Sequence, residues 1–259
     1  MRARLWVAGV VLVGLLVASG ASAAKARTVG LKLTVTGLGT IRVTGSSPFT
    51  CKAGSCQHTF HVPLGKRITV KASPQSGWKL TAWAGACKGS SPTCSLRLKA
   101  TRSVAVTFVP PGDRLNPYPL GSAVPVGSMD GDWEVTVNSA TIDADTEVEA
   151  ENGNVPPPAG DHYTLVNFTF ALVGGGSSSV ANFLQDGAFV TEGSHNAPYS
   201  PDACTPPSPD LGSAGTISSG QSATGNLCYV TATNDASTLV LSATSEMNHI
   251  SQPLWFALK

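Results

Sequence analysis

Apolar and polar residues exchange places at every second position through much of this 259-residue chain. Leu31, Leu33 and Val35 alternate with Lys32 and Thr34, and Trp133, Val135 and Val137 alternate with Glu134, Thr136 and Asn138. A period of two sends the two sets to opposite faces of an extended strand, so each segment needs a second layer to bury its apolar face. Further strands are expected over 41–43, 59–62, 68–72, 104–109, 163–172, 239–243 and 254–258. Past the leader-like N-terminus no segment sustains a helical repeat, so the pattern predicts an all-β protein. Gly37-Leu38-Gly39 reads as a hairpin turn, 174–179 (GGGSSS) as a flexible loop, and 206–209 (PPSP) as another.

The first residues predict export. Arg2 and Arg4 precede an apolar run from Leu5 to Val17, followed by Ala21-Ser22-Ala23. A basic start, a short apolar stretch and small residues at the exit describe a signal peptide over 1–23. The run is too short to span a bilayer comfortably, so the mature chain is expected to carry no membrane span. In an oxidising compartment the 6 cysteines read as three disulfides. Joining near neighbours, Cys51 to Cys56, Cys87 to Cys94 and Cys204 to Cys228, is the simplest connectivity. Spacing alone leaves a crossed pairing among the first four open.

Charge divides the chain. Residues 24–112 hold thirteen Lys or Arg and no Asp or Glu, whereas residues 113–259 hold all sixteen acids against Arg114 and Lys259. The change of sign falls at Val109-Pro110-Pro111-Gly112-Asp113, a turn-rich boundary. It separates a basic domain, 28–110, from an acidic domain, 113–259. An unbalanced positive field attracts polyanions at close range. Lys52, Lys66, Arg67, Lys71, Lys79, Lys88, Arg97, Lys99 and Arg102, with Lys32 and Arg42, are the residues expected to supply it. The partner expected outside a cell is an anionic wall or surface polymer rather than a specific nucleic acid. Docking of the basic domain on the acidic one is the competing use of the same charges.

Two resemblances rest on particular residues. Thr36-Gly37-Leu38-Gly39-Thr40, Cys51 and Cys56, Ala72-Ser73-Pro74 leading to Gly77-Trp78, Trp83-Ala84-Gly85-Ala86-Cys87, Cys94, and 102–108 (RSVAVTF) together resemble a bacterial extracellular repeat related to the internalin B-repeat. The resemblance implies a surface or secreted setting and places Trp78 and Trp83 in the core. A single copy argues against a long adhesive stalk. The second half resembles an immunoglobulin-like family of unknown function found in secreted and lipid-anchored Gram-positive proteins. That family is related in fold to the mycobacterial immunoprotective extracellular antigen. The residues that carry this are Asn116-Pro117-Tyr118-Pro119-Leu120-Gly121, 133–137 (WEVTV), Glu151-Asn152-Gly153-Asn154, Gly160, 163–166 (YTLV), the last cysteine pair and 255–258 (WFAL). Both resemblances imply a fold, a small disulfide-stapled β-repeat domain followed by an immunoglobulin-like β-sandwich, and neither brings catalytic residues or a cofactor.

The remaining motifs point to no enzyme. Ser76-Gly77-Trp78-Lys79 fits S-x-x-K, but that chemistry needs Ser and Lys one helical turn apart. His58 and His61, three apart on a strand, diverge to opposite faces. Asp143, Asp145, Glu147, Glu149 and Glu151 recur at every second position, so on an extended chain five carboxylates would line one face and attract calcium. The sequence reading is therefore a non-enzymatic, envelope-associated binding or adhesion protein, with a freely secreted ligand- or calcium-binding immunoglobulin-like module as the alternative.

Overall fold

A computed structural model describes residues 27–45, 49–52, 57–128, 131–151, 153–186, 188–195, 198–201, 204–244 and 253–259, with the backbone alone at Phe49, Cys51, Lys52, Gln57 and His58. The leader over 1–23 and the pairing of Cys51 with Cys56 lie outside the described residues. Strands dominate what is described, and the chain is all-β.

The basic half contains β1 (Thr28–Thr36), β2 (Gly39–Thr44), β3 (Phe49–Lys52), β4 (Gln57–Pro63), β5 (Arg67–Pro74), β6 (Lys79–Gly85), β7 (Thr93–Arg97) and β8 (Arg102–Val109). They form two four-stranded sheets, β4-β1-β8-β6 and β3-β2-β5-β7. Only β1 and β8 run parallel. The alternating apolar residues meet in one core: Leu31, Leu33 and Val35 from β1, Ile41 and Val43 from β2, Ile68, Val70 and Ala72 from β5, and Val104, Val106 and Phe108 from β8. Trp83 is buried there with its indole Nε1 donating to Ser91 O at 2.6 Å, and Trp78 packs against the edge. Trp83 is thus a core residue and Trp78 a half-buried one against it.

The turn at Gly37-Leu38-Gly39 is not a hairpin, because β1 and β2 belong to different sheets. The chain crosses the core at this point. A Cβ at Gly37, whose φ is +79°, would stand 2.0 Å from Phe108 O, and one at Gly39 would stand 2.5 Å from the Phe108 ring. Two residues without side chains let the backbone pass over β8 and enter the second sheet.

The acidic half contains β9 (Ala123–Ser128), β10 (Gly131–Ile142), α1 (Asp145–Glu149), β11 (Asp161–Gly174), β12 (Ser177–Ser179), α2 (Val180–Asp186), β13 (Val190–Glu192), β14 (Pro198–Tyr199), β15 (Thr216–Ser218), β16 (Ser222–Ala232), β17 (Val240–Ala243) and β18 (Leu254–Ala257). Two four-stranded sheets, β16-β11-β10-β9 and β14-β13-β17-β18, share a second core. Trp133, Val135, Phe168 and Phe170 come from one sheet, Leu241 and Phe256 from the other. Phe183 of α2 stacks on Trp133 with ring centroids 4.4 Å apart. The Gly/Ser stretch expected as a loop is ordered: Gly175 turns at φ +91° and Ser177–Ser179 pair with β15, burying Ser178.

A smaller cluster lies on the other face of β11. Tyr163, Leu165 and Cys228 are covered by Ala144 and Val148, with Cys204 against them. The Cys204–Cys228 and Cys87–Cys94 disulfides are both formed, so the near-neighbour pairing holds for these four cysteines. The Pro-rich segment between Cys204 and Cys228 is tied down where Asn226 donates from Nδ2 to Pro207 O and from its backbone to Pro209 O.

Opening the Cys204–Cys228 loop, with a sequence separation of 24, frees the unfolded chain. In the loop-entropy model the Cys204→Ser, Cys228→Ser double variant should lose about 3.5 kcal/mol. Denaturant unfolding followed by tryptophan fluorescence measures it, and an unchanged midpoint would contradict the account.

Candidate functional site

The sheet β3-β2-β5-β7 turns Ile41, Val43, Ile68, Val70 and Ala72 inward, so its even positions on β2 and odd positions on β5 and β7 face out. Register then decides which charges meet. Arg42 stands directly opposite Lys71, and Arg67 stands directly opposite Arg97. All four are exposed. Like charges in directly opposed antiparallel positions destabilise a sheet, by a few tenths to about 1 kcal/mol. No acid exists between residues 24 and 112 to relieve them. Among the described residues no Lys or Arg of this half lies within 4.0 Å of a carboxylate.

Hydroxyls fill the positions between the cations. Thr40 and Thr44 flank Arg42 along β2, Thr50 pairs with it on β3, and Thr69 and Ser73 flank Lys71 along β5. Thr93 and Ser95 continue the face on β7. Arg97 is oriented by its Nε, which donates to Gly65 O at 2.9 Å. Backbone bonds from Gly65 to Leu98 O and from Leu98 to Lys66 O bring Lys66 and Lys99 to the same end of the face.

The structure thus gathers Arg42, Lys66, Arg67, Lys71, Arg97 and Lys99; Lys52 pairs in register with Thr40. Lys79 and Arg102 open strands of the other sheet, and Lys88 lies in the loop after β6, so these three do not join the face. Ser76 sits in the turn before β6 and Lys79 begins that strand, which leaves S-x-x-K without its helical spacing.

The row of five carboxylates expected from Asp143 to Glu151 is not formed. Asp145–Glu149 is a helical turn, not a strand. The physical reason is burial of Val148 against β11, which the spacing of Ala144 and Val148, one helical turn apart, makes possible. Asp145 points instead to β11: its carboxylate accepts from His162 Nδ1 at 2.8 Å and from the Tyr163 backbone at 2.7 Å. Ligand-type atoms of Asp143, Asp145 and His162 lie within 4.8 Å of one another, and a histidine among them suits zinc better than calcium. Glu147, Glu149 and Glu151 are not part of this group. The hydrogen bond to Asp145 raises His162 above its ordinary pKa, against the opposing effect of burial, and the charges of Asp143, Asp145 and Asp161 add to the rise.

A second polar centre had no motif to announce it. Asp235 is buried, and its carboxylate accepts from Ser194 Oγ at 3.0 Å, His195 Nδ1 at 2.7 Å, the His195 backbone at 3.2 Å and Tyr199 OH at 2.7 Å. Burial pushes its pKa up, but the donors from Tyr199, His195 and Ser194 outweigh this and hold it well below the usual carboxylate range. Ser, His and Asp meet here without forming a relay. In a catalytic triad the carboxylate and the hydroxyl bond opposite ring nitrogens. Here both lie beside Nδ1, with Ser194 Oγ 3.4 Å from it. The group ties Ser194, His195 and Tyr199 to the turn after β16. Nearby, Arg114 donates to Glu192 Oε2 and Gly193 O, both at 2.6 Å, and stacks over Trp255.

A cavity of about 570 Å³ lies beside Cys204–Cys228, between Leu184, Phe189, Pro206 and Leu227. The Asp210 carboxylate on its wall already accepts from the Gly212 backbone.

Residues 32–111 match the family model of the divergent InlB B-repeat domain. This supports the resemblance drawn for the first half and, with the disulfides, an extracellular type of repeat. Searches of curated proteins and of solved structures find no match to the chain.

Asp235 gives a pH prediction with a definite sign. A depressed carboxyl stabilises the fold above its unfolded pKa, about 3.9, and that contribution is lost as pH falls through the folded value. Asp235→Asn should therefore melt several degrees below the parent at pH 7, and the gap should narrow as pH falls below about 4. His162 has the opposite sign: its contribution is complete below about 6.5 and fades as pH rises through its raised value. His162→Gln should cost more stability at pH 5.5 than at pH 8.5 in calorimetric melts.

Proposed function

We propose that this chain is a secreted, non-enzymatic protein of the cell envelope, acting in binding or adhesion, whose basic repeat contacts anionic surface polymers. The observation that carries the reading is the pairing of Arg42 with Lys71 and of Arg67 with Arg97 on one exposed face. A fold selected for stability alone would place an acid in one of each pair. Instead the half of the molecule that bears them contains none. A face that repels itself is relieved when a polyanion lies across it, releasing condensed counterions from the polymer in the process. Such contacts are many, individually weak and screened by salt, which retains a protein at a surface without a covalent bond.

The acidic half supplies a different surface. Arg114 is held by Glu192 and Gly193; among the described residues no other acid has a Lys or Arg within 4.0 Å, and only Asp143, Asp145 and Asp235 have a histidine there. Opposite signs on the two halves direct the basic face toward the polymer and leave the acidic sandwich for a partner.

Lys71→Glu separates function from stability. Opposite Arg42 it should raise stability by up to about 1 kcal/mol, yet lower retention on isolated cell walls at low ionic strength. The parent should elute as salt rises from about 50 mM to 500 mM. Retention indifferent both to salt and to Lys71→Glu, Arg67→Glu would overturn the proposal.

A further inference from the structure

We infer that the polymer this face accepts is a soluble phosphodiester chain that lacks bases and sugar rings, of the polyol-phosphate type; the inference rests on the polyanion-binding reading above. Three of the four paired cations are arginines, Arg42, Arg67 and Arg97, with Lys71 the exception. A guanidinium donates through a planar fork that grips two oxygens of one anion. Hydroxyls surround these cations: Thr40, Thr44 and Thr50 about Arg42, and Thr69, Ser73 and Thr93 about Lys71. Thr40 and Thr44 rest on the Ser73 and Thr69 carbonyls through long bonds of 3.5 and 3.4 Å that a stronger acceptor can displace. A planar carboxylate is largely satisfied by one fork. The tetrahedral phosphodiester, with further lone pairs out of that plane, can also accept from neighbouring hydroxyls.

Spacing fits a repeating chain of anions. Members of each cationic pair are about 5 Å apart at Cα across the strands. Arg67 and Lys71 are four residues apart on β5, about 13 Å. A flexible polymer with one charge on each short repeat can meet both pairs at once, whereas a lone anion meets only one.

The absence of rings on the face selects among polyanions. Among the described residues no aromatic side chain lies on the outer positions of β2, β5 and β7. Trp78, Trp83 and Phe108 pack against the core instead. Single-stranded nucleic acid is held largely by stacking of bases on aromatic rings, and pyranose rings are gripped in the same fashion. A duplex is read by a helix or a two-stranded ribbon that enters a groove, whereas these cations lie across the outer face of a four-stranded sheet. Charge, hydroxyls and no rings together describe a ligand with phosphates and a plain polyol backbone.

The test uses the full exported chain and four probes matched for charge: poly(glycerol phosphate), polygalacturonate, single-stranded DNA and phosphatidylglycerol vesicles. Poly(glycerol phosphate) should bind about tenfold more tightly than the others, because forks and hydroxyls act together only there. Four neutralised phosphates give a log–log salt slope on the order of −3. Arg42→Lys, Arg67→Lys, Arg97→Lys keeps every charge and should erase the preference, weakening poly(glycerol phosphate) more than polygalacturonate, with only a small drop in melting temperature from loss of the Arg97 bond to Gly65 O. Equal affinity for polygalacturonate, or tightest binding to DNA or vesicles, overturns this inference and leaves the polyanion reading standing. A triple variant that keeps the preference also overturns it. Binding to none of the four at low salt removes the polyanion reading itself.

Discussion

Most strands in both halves bury one face and leave the other to water, with β11 and β16 covered on both faces around Tyr163 and Cys228, and the remaining features follow from that division. Leu31, Leu33, Ile41, Val43, Ile68 and Val70 close two sheets over one core, and Trp133, Phe168, Phe170, Leu241 and Phe256 do the same in the second. A two-sheet core about 10 Å thick is filled by side chains alone. The outward positions are therefore free of packing duty, and their chemistry can be set by something other than folding. On the sheet β3-β2-β5-β7 that chemistry is basic and hydroxylic.

Both halves contain polar groups that cost stability, but they are handled differently. Asp235 is a buried carboxylate whose desolvation is offset by four donors, from Ser194, His195 and Tyr199. That arrangement is structural, because every oxygen is satisfied within the fold. Arg42 with Lys71, and Arg67 with Arg97, are exposed pairs with no internal compensation among the described residues. Their repulsion has no partner inside the molecule, which is why a partner outside it is the economical explanation. Disulfides support this division: Cys87–Cys94 and Cys204–Cys228 cross-link small cores, so the outer faces need not contribute to stability.

Legibility in the sequence followed the range of the interaction involved. Period-two alternation is local, so the segments at 31–35, 68–72, 104–109, 133–137 and 163–172 all lie in strands. The same period misled at Asp143–Glu151, where alternate acids imply an extended chain. Val148 finds its pocket on Tyr163, Leu165 and Cys228, all distant in sequence, and that burial outweighs the pattern. The Ala144–Val148 spacing was the available helical signal. Ser177–Ser179 read as a loop because pairing with Thr216–Ser218 is invisible from one side of the ribbon. Nothing local distinguishes His195 or Asp235 from surface residues, since their meeting depends on a separation of 40 positions.

What the sequence determined alone was the all-β class and the two-signed charge partition, because each depends on residues close along the chain; the Cys87–Cys94 pairing, left open by spacing, was decided by the fold. Tertiary structure alone decided which cations share a face. Lys79, Lys88 and Arg102 were indistinguishable by composition from Arg67, Lys71 and Arg97, yet lie apart from them. The register between β2, β5 and β7 brings like charges opposite one another, and register is fixed only when inward side chains from distant strands settle into a common core.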